Sequence, residues 1–491
     1  MRKTTSGLAL VTFLTLAWVA SPALAEPARE TQGAKAMDVA NQLQLFLDDT
    51  LIDSMKGVEL RLQHPQPAEI VLRKDKPWED NYMFDPVVIK DGDRYRMWYR
   101  AGWWQDAAGP KTYGWPTAYA ESTDGVVWTK PSLGLIEFKQ SKENNLLWRA
   151  DKGRNAANTF SVIKDANPRC LEEERYKAIA CPGCLDNNIA GLVSSDGINW
   201  TMKHNPMIKG KQFDSHNILL WDQARKQYVI YARGWTNPHG RFIRRSVSTD
   251  FKNWSKFEFI NVGKSAPEQL YKNGATCYYR RPDLVLMFPK RFVEDRVGVR
   301  VPGATSGLSD IVFMFSYDGL SFDRRHMEAF IRPGRDRNNW HDRAIYAGTT
   351  LVPTGKGEMS FYLMENYKCP TVHVRRMVLR EDGFVALHAG YPGGEMTTRP
   401  MTFTGGALLL NYATSAAGSI LVEVQDESGK PIPGFTQTDA VEIYGDELDC
   451  KVAWKGNPDL GKLSRKPVRL RFVMKDADLF SLRFGKVGNA N

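Results

Sequence analysis

Long helical periodicity is almost absent from this chain of 491 residues. Short apolar or alternating runs separated by turn residues take its place, which predicts an all-β fold. The chain also lacks a dense run of lysine and arginine and any nucleic-acid-binding motif, so nucleic acid is not an expected partner. Metal-ligand spacing is absent too. We expect no cofactor, and scattered Asp and Asn side chains leave only a structural calcium ion open.

Cysteine is scarce, with six residues in the whole chain. Cys181 and Cys184 have the spacing of a metal knuckle or a redox pair, but no second pair and no thioredoxin-like pattern accompany them. In an exported protein a local disulfide from Cys170 to Cys181 or to Cys184 is the favoured prediction, and spacing alone does not choose between the two.

Long apolar runs are confined to the first 25 residues. Arg2 and Lys3 precede an apolar run over residues 8–20, which is too short for a comfortable membrane span. The run is followed by Ser21-Pro-Ala-Leu-Ala25, which has the small-x-small pattern of a signal-peptidase site. We therefore expect residues 1–25 to be a signal peptide, the protein to be secreted or periplasmic, and no segment to span a membrane.

A short phrase recurs five times at intervals of 54 to 72 residues. An Asp-Gly pair between two strand-like runs is a hairpin signal, because both residues tolerate positive φ. A unit of strands repeated at this interval predicts a five-bladed β-propeller. The copies are Ser122-Thr-Asp-Gly-Val-Val-Trp128, Ser194-Ser-Asp-Gly-Ile-Asn-Trp200, Ser248-Thr-Asp-Phe-Lys-Asn-Trp254, Ser316-Tyr-Asp-Gly-Leu-Ser-Phe322 and Arg380-Glu-Asp-Gly-Phe384.

The repeats divide the chain into three expected regions after the signal peptide. Residues 26–80 form a lead-in with an early strand, read at Leu45 to Ile52, that closes the ring against the last blade. Residues 81–392 form the propeller and its catalytic site. Residues 395–491 contain short strands and turns without the repeated phrase, which favours an appended β-sandwich.

A carboxylate precedes the first strand of several repeats. In a propeller, side chains at the start of the innermost strand of each blade face the central funnel, so these carboxylates are expected to lie there together. Asp85, Asp214 and Glu268 are the candidate catalytic residues, and Asp342 is a further candidate. Glycosidic bonds are cleaved by two carboxyl groups, one protonated to assist the leaving oxygen and one ionised to attack or to activate water. The null interpretation for each is a turn or cap aspartate, and for Asp342 an ion pair with its neighbour Arg343.

Other side chains near the strand starts are candidates for substrate binding. Tryptophan faces stack on sugar rings, imidazole and amide groups bond hydroxyls, and a guanidinium fork suits a carboxylate or sulfate. The formal charge of +10 is compatible with an anionic carbohydrate as the substrate, such as a sulfated or uronic-acid glycan, and a merely basic, soluble surface is the alternative interpretation. The candidates are Trp103, Trp104, His216, Asn217, Arg291, His341, Asp342 and Arg343.

The pattern of repeats resembles the five-bladed propeller glycosidases of glycoside hydrolase families 32, 43, 68, 117 and 130. Asp85-Pro86 after an aromatic residue is similar to the Asn-Asp-Pro phrase of family 32, and the C-terminal β-sandwich fits the layout of that family. The resemblance implies a secreted glycoside hydrolase of carbohydrate metabolism. It implies Asp85 as nucleophile or base, Asp214 as the acid that orients the substrate, and Glu268 as the proton donor.

Two alternatives remain open at this stage. The turn phrase is close to that of sialidases, which makes a sialidase-like exo-glycosidase one alternative. A non-catalytic propeller that binds glycans through its aromatic residues is the other. In families like 32 the three acids come from the first three blades, whereas repeat two here offers Asn158 and the candidates fall on repeats one, three and four.

Overall fold

The chain folds almost wholly into β-strands. The computed structural model describes residues 36–81, 83–102, 116–148, 158–181, 188–300, 306–456 and 459–485. Within those ranges the helical segments are three short turns of 3-10 helix, at Glu172–Glu174, Arg337–Asn339 and Leu460–Leu463. The predicted all-β class is therefore confirmed. In the same ranges, no helix has the length and apolar character that crossing a membrane requires.

Several sequence-based expectations fall outside these ranges. They are the signal peptide at residues 1–25, the two candidate stacking residues Trp103 and Trp104, and Cys184.

Five strands open the described chain and belong to two different sheets. The first four join strands from the C-terminal region, and the fifth joins the last sheet of the repeat region. They are β1 (Met37–Ala40), β2 (Gln44–Leu45), β3 (Ile52–Lys56), β4 (Val58–Leu62) and β5 (Gln66–Arg73).

Three four-stranded antiparallel sheets follow, each with its strands paired in chain order. Their strands are rich in Val, Ile, Tyr and Trp, residues that pack well on a pleated surface. Sheet one has β6 (Phe84–Asp91), β7 (Arg94–Arg100), β8 (Thr117–Ser122) and β9 (Leu146–Trp148). Sheet two has β10 (Asn158–Lys164), β11 (Tyr176–Cys181), β12 (Asn188–Ser194) and β13 (Thr201–Lys209). Sheet three has β14 (Ile218–Asp222), β15 (Gln227–Thr236), β16 (Gly240–Ser248) and β17 (Glu258–Phe259).

The fourth repeat is split into two three-stranded ladders, β18-β21-β22 and β19-β20-β23. The break falls at Gly274 and Pro289. Gly274 has φ +56°, and a Cβ there would lie 2.7 Å from the Phe288 carbonyl oxygen, while Pro289 has no N–H to continue a ladder. The strands are β18 (Gln269–Lys272), β19 (Ala275–Tyr278), β20 (Arg281–Met287), β21 (Lys290–Val293), β22 (Leu308–Ile311) and β23 (Met314–Ser316).

The fifth sheet takes its outer strand from the N-terminal region. Its order is β24-β26-β27-β5, with β25 paired to β26, so Gln66–Arg73 completes a sheet whose other strands come some 300 residues later. The segment read at Leu45 to Ile52 does not make this pairing, because its ends lie in β2 and β3. The remaining strands are β24 (Tyr346–Ala347), β25 (Val352–Gly355), β26 (Glu358–Glu365) and β27 (His373–Arg380).

The C-terminal strands form a ten-stranded sheet together with β1–β4. β33 is central to it and pairs with β2, β28, β29, β30 and β31. The strands are β28 (Val385–Ala389), β29 (Gly394–Thr398), β30 (Met401–Phe403), β31 (Ala407–Asp426), β32 (Asp446–Lys451) and β33 (Val468–Gly485).

Polar contacts link the first strands of neighbouring sheets. Leu219 N donates to Ser161 Oγ between sheets three and two, and Asn273 Nδ2 donates to Tyr231 O between repeats four and three. Lys272 Nζ donates to Ala347 O in sheet five, and Thr349 N of that region donates to Pro86 O in sheet one. Strands β6 and β10 of sheets one and two also lie in contact. Contacts therefore run from each repeat to the next and from the fifth back to the first.

The first four copies of the repeated phrase are closed by a shared set of turn hydrogen bonds. In the first copy Asp124 Oδ1 accepts from the backbone N–H groups of Val126 and Val127, and also from Ser122 Oγ. The same pattern holds at Asp196, Asp250 and Asp318. The turns are structural, as the hairpin interpretation predicts.

An aromatic side chain from the preceding repeat donates to most of these turns. Trp98 Nε1 donates to Gly197 O at 2.8 Å, Tyr231 OH to Gly319 O at 2.5 Å and Tyr362 OH to Gly125 O at 2.7 Å. At the junction of sheets two and three the corresponding strand position is Ile179 and the turn has Phe251 in place of glycine. These two apolar side chains share one core cluster, so packing replaces the hydrogen bond there.

The predicted local disulfide from Cys170 is wrong, because Cys170 is a free thiol. Its Sγ lies 3.3 Å from Lys177 Nζ, near the start of β11. Cys181 lies at the far end of the same strand, and a strand of this length separates the thiols by about 16 Å, far beyond the reach of a disulfide.

Candidate active site

Irregular ladders mark the beginning of β6 and of β10 and the end of β18. Register shifts fall between Phe84 and Val87 in β6, between Asn158 and Ser161 in β10, and between Leu270 and Lys272 in β18. A bulge re-aims the side chains around it and is common beside active sites. Asp85 lies in the first of these bulges with φ +59°, a left-handed conformation that Asp tolerates better than most residues.

Asp85 is buried among cations. Its Oδ1 accepts from Lys272 Nζ at 2.9 Å and its Oδ2 from Arg100 Nη2 at 3.3 Å, and only 3% of the residue is exposed. Burial by itself would raise the pKa of Asp85, but the neighbouring charges, that of Lys272 foremost, lower the pKa from 3.8 to about 2. Asp85 is thus ionised throughout the neutral range.

His216 lies on the other side of this carboxylate. Burial lowers its pKa from 6.5 to about 3, so the imidazole is neutral near pH 7. Its Nε2 lies 3.3 Å from the Phe160 carbonyl, which can only accept, so the ring proton is on Nε2. Nδ1 is then left as an acceptor 3.6 Å from Asp85 Oδ1, with no hydrogen-bond partner among the described residues.

Asn217, the other candidate beside His216, is occupied by the local turn. Its Nδ2 donates to the carbonyls of Phe213 and Ser215 and to Cys181 Sγ, and the residue is fully buried. These contacts give Asn217 a positioning role for the segment that carries His216.

Two buried lysines at the site were not identified from the sequence. Lys272 bonds Asp85, and burial lowers its pKa below 10.5. Lys290 is fully buried, and its Nζ has no hydrogen-bond partner among the described residues. It lies 3.3 Å from the ring centroid of Tyr346 and 4.3 Å from that of Tyr271, and burial lowers its pKa well below the usual value. In the sequence, Lys272 ends β18 and Lys290 begins β21, and a lysine at a strand end beside apolar residues is the feature that could have identified them.

The fifth repeat contributes Asp342 and Arg343. Arg343 Nε and Nη2 each donate to an Asp342 oxygen at 2.6 Å, which is the ion pair that the sequence left open as the null interpretation. Lys368 Nζ lies 3.6 Å from Asp342, and Arg343 Nη1 donates to Tyr271 OH at 3.3 Å. His341 is buried, burial lowers its pKa, and its Nε2 lies 3.7 Å from Cys369 Sγ.

Glu268 and Asp214 lie in different surroundings from Asp85. Glu268 accepts from Arg291 Nη1 at 2.8 Å and from Arg324 Nε at 3.2 Å, and Arg291 also binds Asp310. The Asp214 side chain is 64% exposed, and Arg233 Nη2 lies 3.7 Å from it. Within the described ranges no hydrogen bond or ion pair joins any two of Asp85, Asp214 and Glu268.

Among the described tryptophans, two near strand ends have exposed rings. Trp98 is buried in its strand. Trp235 at the end of β15 and Trp340 before β24 are 53% and 40% exposed. The guanidinium carbon of Arg241 lies 5.2 Å from the Trp235 ring centroid.

No group of three or more His, Cys, Asp or Glu side chains within the described ranges is arranged to hold a metal ion. The candidate site consists of one ionised carboxylate (Asp85), one neutral imidazole (His216), two lysines (Lys272 and Lys290) and the Asp342–Arg343 pair. This arrangement can hold a polar ligand by charge, and Asp85 can act as a nucleophile or base toward a group that reaches it.

No family model matches the sequence, and no curated protein matches it. Solved structures do show similarity. A fructofuranosidase from Schwanniomyces occidentalis, complexed with fructose, has a TM-score of 0.41 and 12% identity, over 85% of this chain and 98% of that one. The catalytic domain of a GH62 α-L-arabinofuranosidase from Coprinopsis cinerea has a TM-score of 0.41 and 11% identity, over 65% and 97%.

An N-acetylgalactosamine deacetylase from F. plautii, in complex with blood group B trisaccharide, has a TM-score of 0.43 and 14% identity, over 71% of this chain and 95% of that one. The expected likeness to glycoside hydrolases is therefore found among solved structures. These TM-scores lie below 0.5, so the structural likeness does not by itself establish the function of this chain.

Proposed function

We propose that the protein is a glycoside hydrolase whose active site is centred on Asp85. The observation that carries this proposal is a buried carboxylate, ionised by Lys272 and Arg100, in a bulge where the first strands of the repeats meet. Glycosidic bond cleavage requires such an ionised carboxylate as nucleophile or as the base that activates water. The substrate is a poly- or oligosaccharide, and the protein is exported with residues 1–25 as its signal peptide, which is then removed.

We infer further that the five repeats are the blades of a β-propeller, within residues 81–392. Contacts that run from each repeat to the next and from the fifth to the first support this arrangement, as does the aromatic donor that recurs at the turns. For residues 395–491 we infer a β-sandwich, to which β1–β4 add strands. Its support is the length of β31 and β33 and the single core cluster that their side chains share.

The proton donor in this proposal is Glu268, as the resemblance to family 32 implies. Its carboxyl group is held by two arginines, so the assignment requires the substrate to displace at least one guanidinium. Asp214, exposed at the edge of sheet three, is assigned to contact with substrate hydroxyls.

The proposal is tested by the release of reducing sugar from a panel of fructans, arabinans, xylans, and sulfated or uronic-acid glycans. The purified protein is compared with Asp85→Asn, and we expect the variant to lose essentially all release. Release that Asp85→Asn retains in full would contradict a role for Asp85 in the reaction. Circular dichroism of the variant establishes that it is folded.

A non-catalytic glycan-binding propeller is the second candidate. The observation that favours it is the separation of contacts: Glu268 is held by two arginines and Asp214 is exposed, so neither touches Asp85. Glu268→Gln distinguishes the two functions. Lost turnover with retained glycan binding supports the enzyme, whereas binding without turnover in the unsubstituted protein supports the binder.

A further inference from the structure

Four cations surround one tyrosine at the edge of the candidate site. The guanidinium carbons of Arg233, Arg241 and Arg343 lie 5.7, 5.2 and 5.8 Å from the Tyr271 ring centroid. Lys290 Nζ lies 4.3 Å from it. We call these five residues the tyrosine cluster. They come from five different strands or strand starts, so the tertiary fold assembles them.

The acids near the tyrosine cluster do not balance its charge. Arg343 is well paired with Asp342. Within the described part of the chain, the carboxylate partners of Arg233 and Arg241 are distant, Asp214 at 3.7 Å and Glu294 at 3.9 Å, and both partner side chains are more than half exposed. Exposed pairs of this kind contribute little. Lys290 has no hydrogen-bonded partner among the described residues.

A ligand can reach the arginines but not the lysine. The side chains of Arg233, Arg241 and Arg343 are 14%, 21% and 20% exposed, whereas Lys290 lies beneath the Tyr271 and Tyr346 rings. Arg241 also stacks on the exposed ring of Trp235. An exposed indole next to a guanidinium offers a sugar ring a flat apolar face and offers its charged substituent a partner.

We propose that the tyrosine cluster is an anion subsite that binds the carboxylate or sulfate substituent of a glycan, with Trp235 stacking on the sugar ring that carries it. The inference rests on the proposed function in taking the ligand to be a glycan. The binding of an anion by the tyrosine cluster does not depend on that function. The arginines donate directly to the anion, and the charge of the anion in turn favours the protonated form of Lys290 beneath the Tyr271 ring. The substrate class is therefore uronic-acid or sulfated carbohydrate.

The test measures binding by calorimetry on the purified protein with two matched pairs of oligosaccharides. One pair is a glucuronate-containing oligosaccharide and its carboxyl-reduced form, and the other is a sulfated galactan oligosaccharide and its desulfated form. We expect the protein to bind one charged form at least tenfold more tightly than its neutral counterpart. The pair that shows this preference identifies the anion as carboxylate or sulfate.

Two substitutions then locate the subsite. Arg241→Met should weaken binding of the charged form by about tenfold, the value of one charge-assisted contact. Lys290→Met should weaken it by less, because Lys290 does not touch the anion, and both variants should leave binding of the neutral form unchanged. Arg94→Met is the matched control, because Arg94 is 59% exposed at the β6–β7 turn, the opposite end of that sheet. It removes the same charge and should change neither affinity.

The outcomes separate this inference from the proposed function. A preference for the charged form that Arg241→Met abolishes, without cleavage of any glycan, supports the subsite and defeats the hydrolase. Cleavage of neutral glycans with equal affinity for charged and neutral forms supports the hydrolase and defeats the subsite. Equal loss of affinity in Arg241→Met and Arg94→Met would show a general charge effect and would also overturn the subsite.

Discussion

At the scale of single residues, Lys290 is placed at a cost to stability. Its amino group is fully buried, has lost its water, and has no hydrogen-bond partner among the described residues, where it contacts two aromatic rings instead. Proteins retain destabilising groups of this kind at functional sites more often than elsewhere. This is the residue-level reason to connect Lys290 with ligand binding.

Lys290→Met should therefore stabilise the protein. We expect the free energy of unfolding to rise by about 1–2 kcal/mol, because an apolar side chain of similar length replaces a desolvated charge. Chemical denaturation of both proteins at neutral pH measures the change. A loss of stability would mean that the contacts with Tyr271 and Tyr346 outweigh the desolvation of the ammonium group.

Asp85 should make stability depend on pH in acid. Its folded pKa of about 2 lies below the ordinary value of 3.8, so its contribution is present above pH 4 and is lost as the pH falls toward 2. The expected loss is about 2 kcal/mol. It is measured as the difference in unfolding free energy between pH 5 and pH 2.5.

The control for this titration is Asp85→Asn. It should be less stable at neutral pH by about 3 kcal/mol, because Lys272 is left buried without its carboxylate. Its stability should also fall less steeply between pH 5 and pH 2.5. Parallel pH profiles for the two proteins would assign the acid sensitivity to other carboxylates.

At the scale of elements, three of the five junctions between repeats share one design. A tyrosine or tryptophan of one repeat donates to the turn of the next at three junctions, while Ile179 and Phe251 make apolar contact at the junction of sheets two and three. At this junction Phe251 replaces the turn glycine and Ile179 replaces the aromatic hydrogen-bond donor of the facing strand. The turn and the strand therefore both differ from those at the three hydrogen-bonded junctions.

The two tyrosine junctions should differ in their sensitivity to loss of the hydroxyl. In Tyr231→Phe the Gly319 carbonyl loses the one hydrogen-bond donor it has within the described ranges, so we expect a loss of about 2 kcal/mol. In Tyr362→Phe the Gly125 carbonyl keeps its bond from Trp128 Nε1, so the loss should be nearer 1 kcal/mol. Denaturant titrations of the pair measure the difference, and equal losses would contradict this account.

At the scale of the whole molecule, Asp382 joins the repeat region to the ten-stranded sheet. It is the aspartate of the fifth copy of the repeated phrase, and it is buried. It accepts from Tyr278 OH and Arg280 Nη1 of repeat four, and from Ser481 Oγ of β33. In the other four copies the aspartate side chain accepts from its own turn within the described ranges, whereas Asp382 accepts from side chains of repeat four and of β33.

Asp382→Asn should destabilise the protein by about 3 kcal/mol or more, because Arg280 and the buried hydroxyls lose their common anionic partner. We expect limited proteolysis to release fragments of the C-terminal region sooner than in the unsubstituted protein. Asp318→Asn is the matched control, since Asp318 accepts only within its own turn and should cost well under 1 kcal/mol. Similar losses of unfolding free energy in both variants would contradict the proposal that Asp382 joins the repeat region to the ten-stranded sheet.

The strand class, the repeated turns and the position of Asp85 at a strand start could all be predicted from the sequence. These features depend on alternation, turn residues and spacing, which act over a few neighbouring residues. The partners of the site could not be predicted in this way. Lys272 lies 187 residues from Asp85 and Arg100 lies 15 residues from it, and no local pattern links a carboxylate to a lysine so far along the chain.

The sequence by itself determined that the chain is all-β and repeats a hairpin phrase, because local turn chemistry and side-chain alternation are sufficient for that. Only the tertiary structure decided that Asp85 is ionised by lysine and arginine, that Glu268 is held by two arginines, and that β1–β4 join the C-terminal sheet. Charge balance and strand pairing are set by which distant residues are brought together, and burial then determines how strongly they interact.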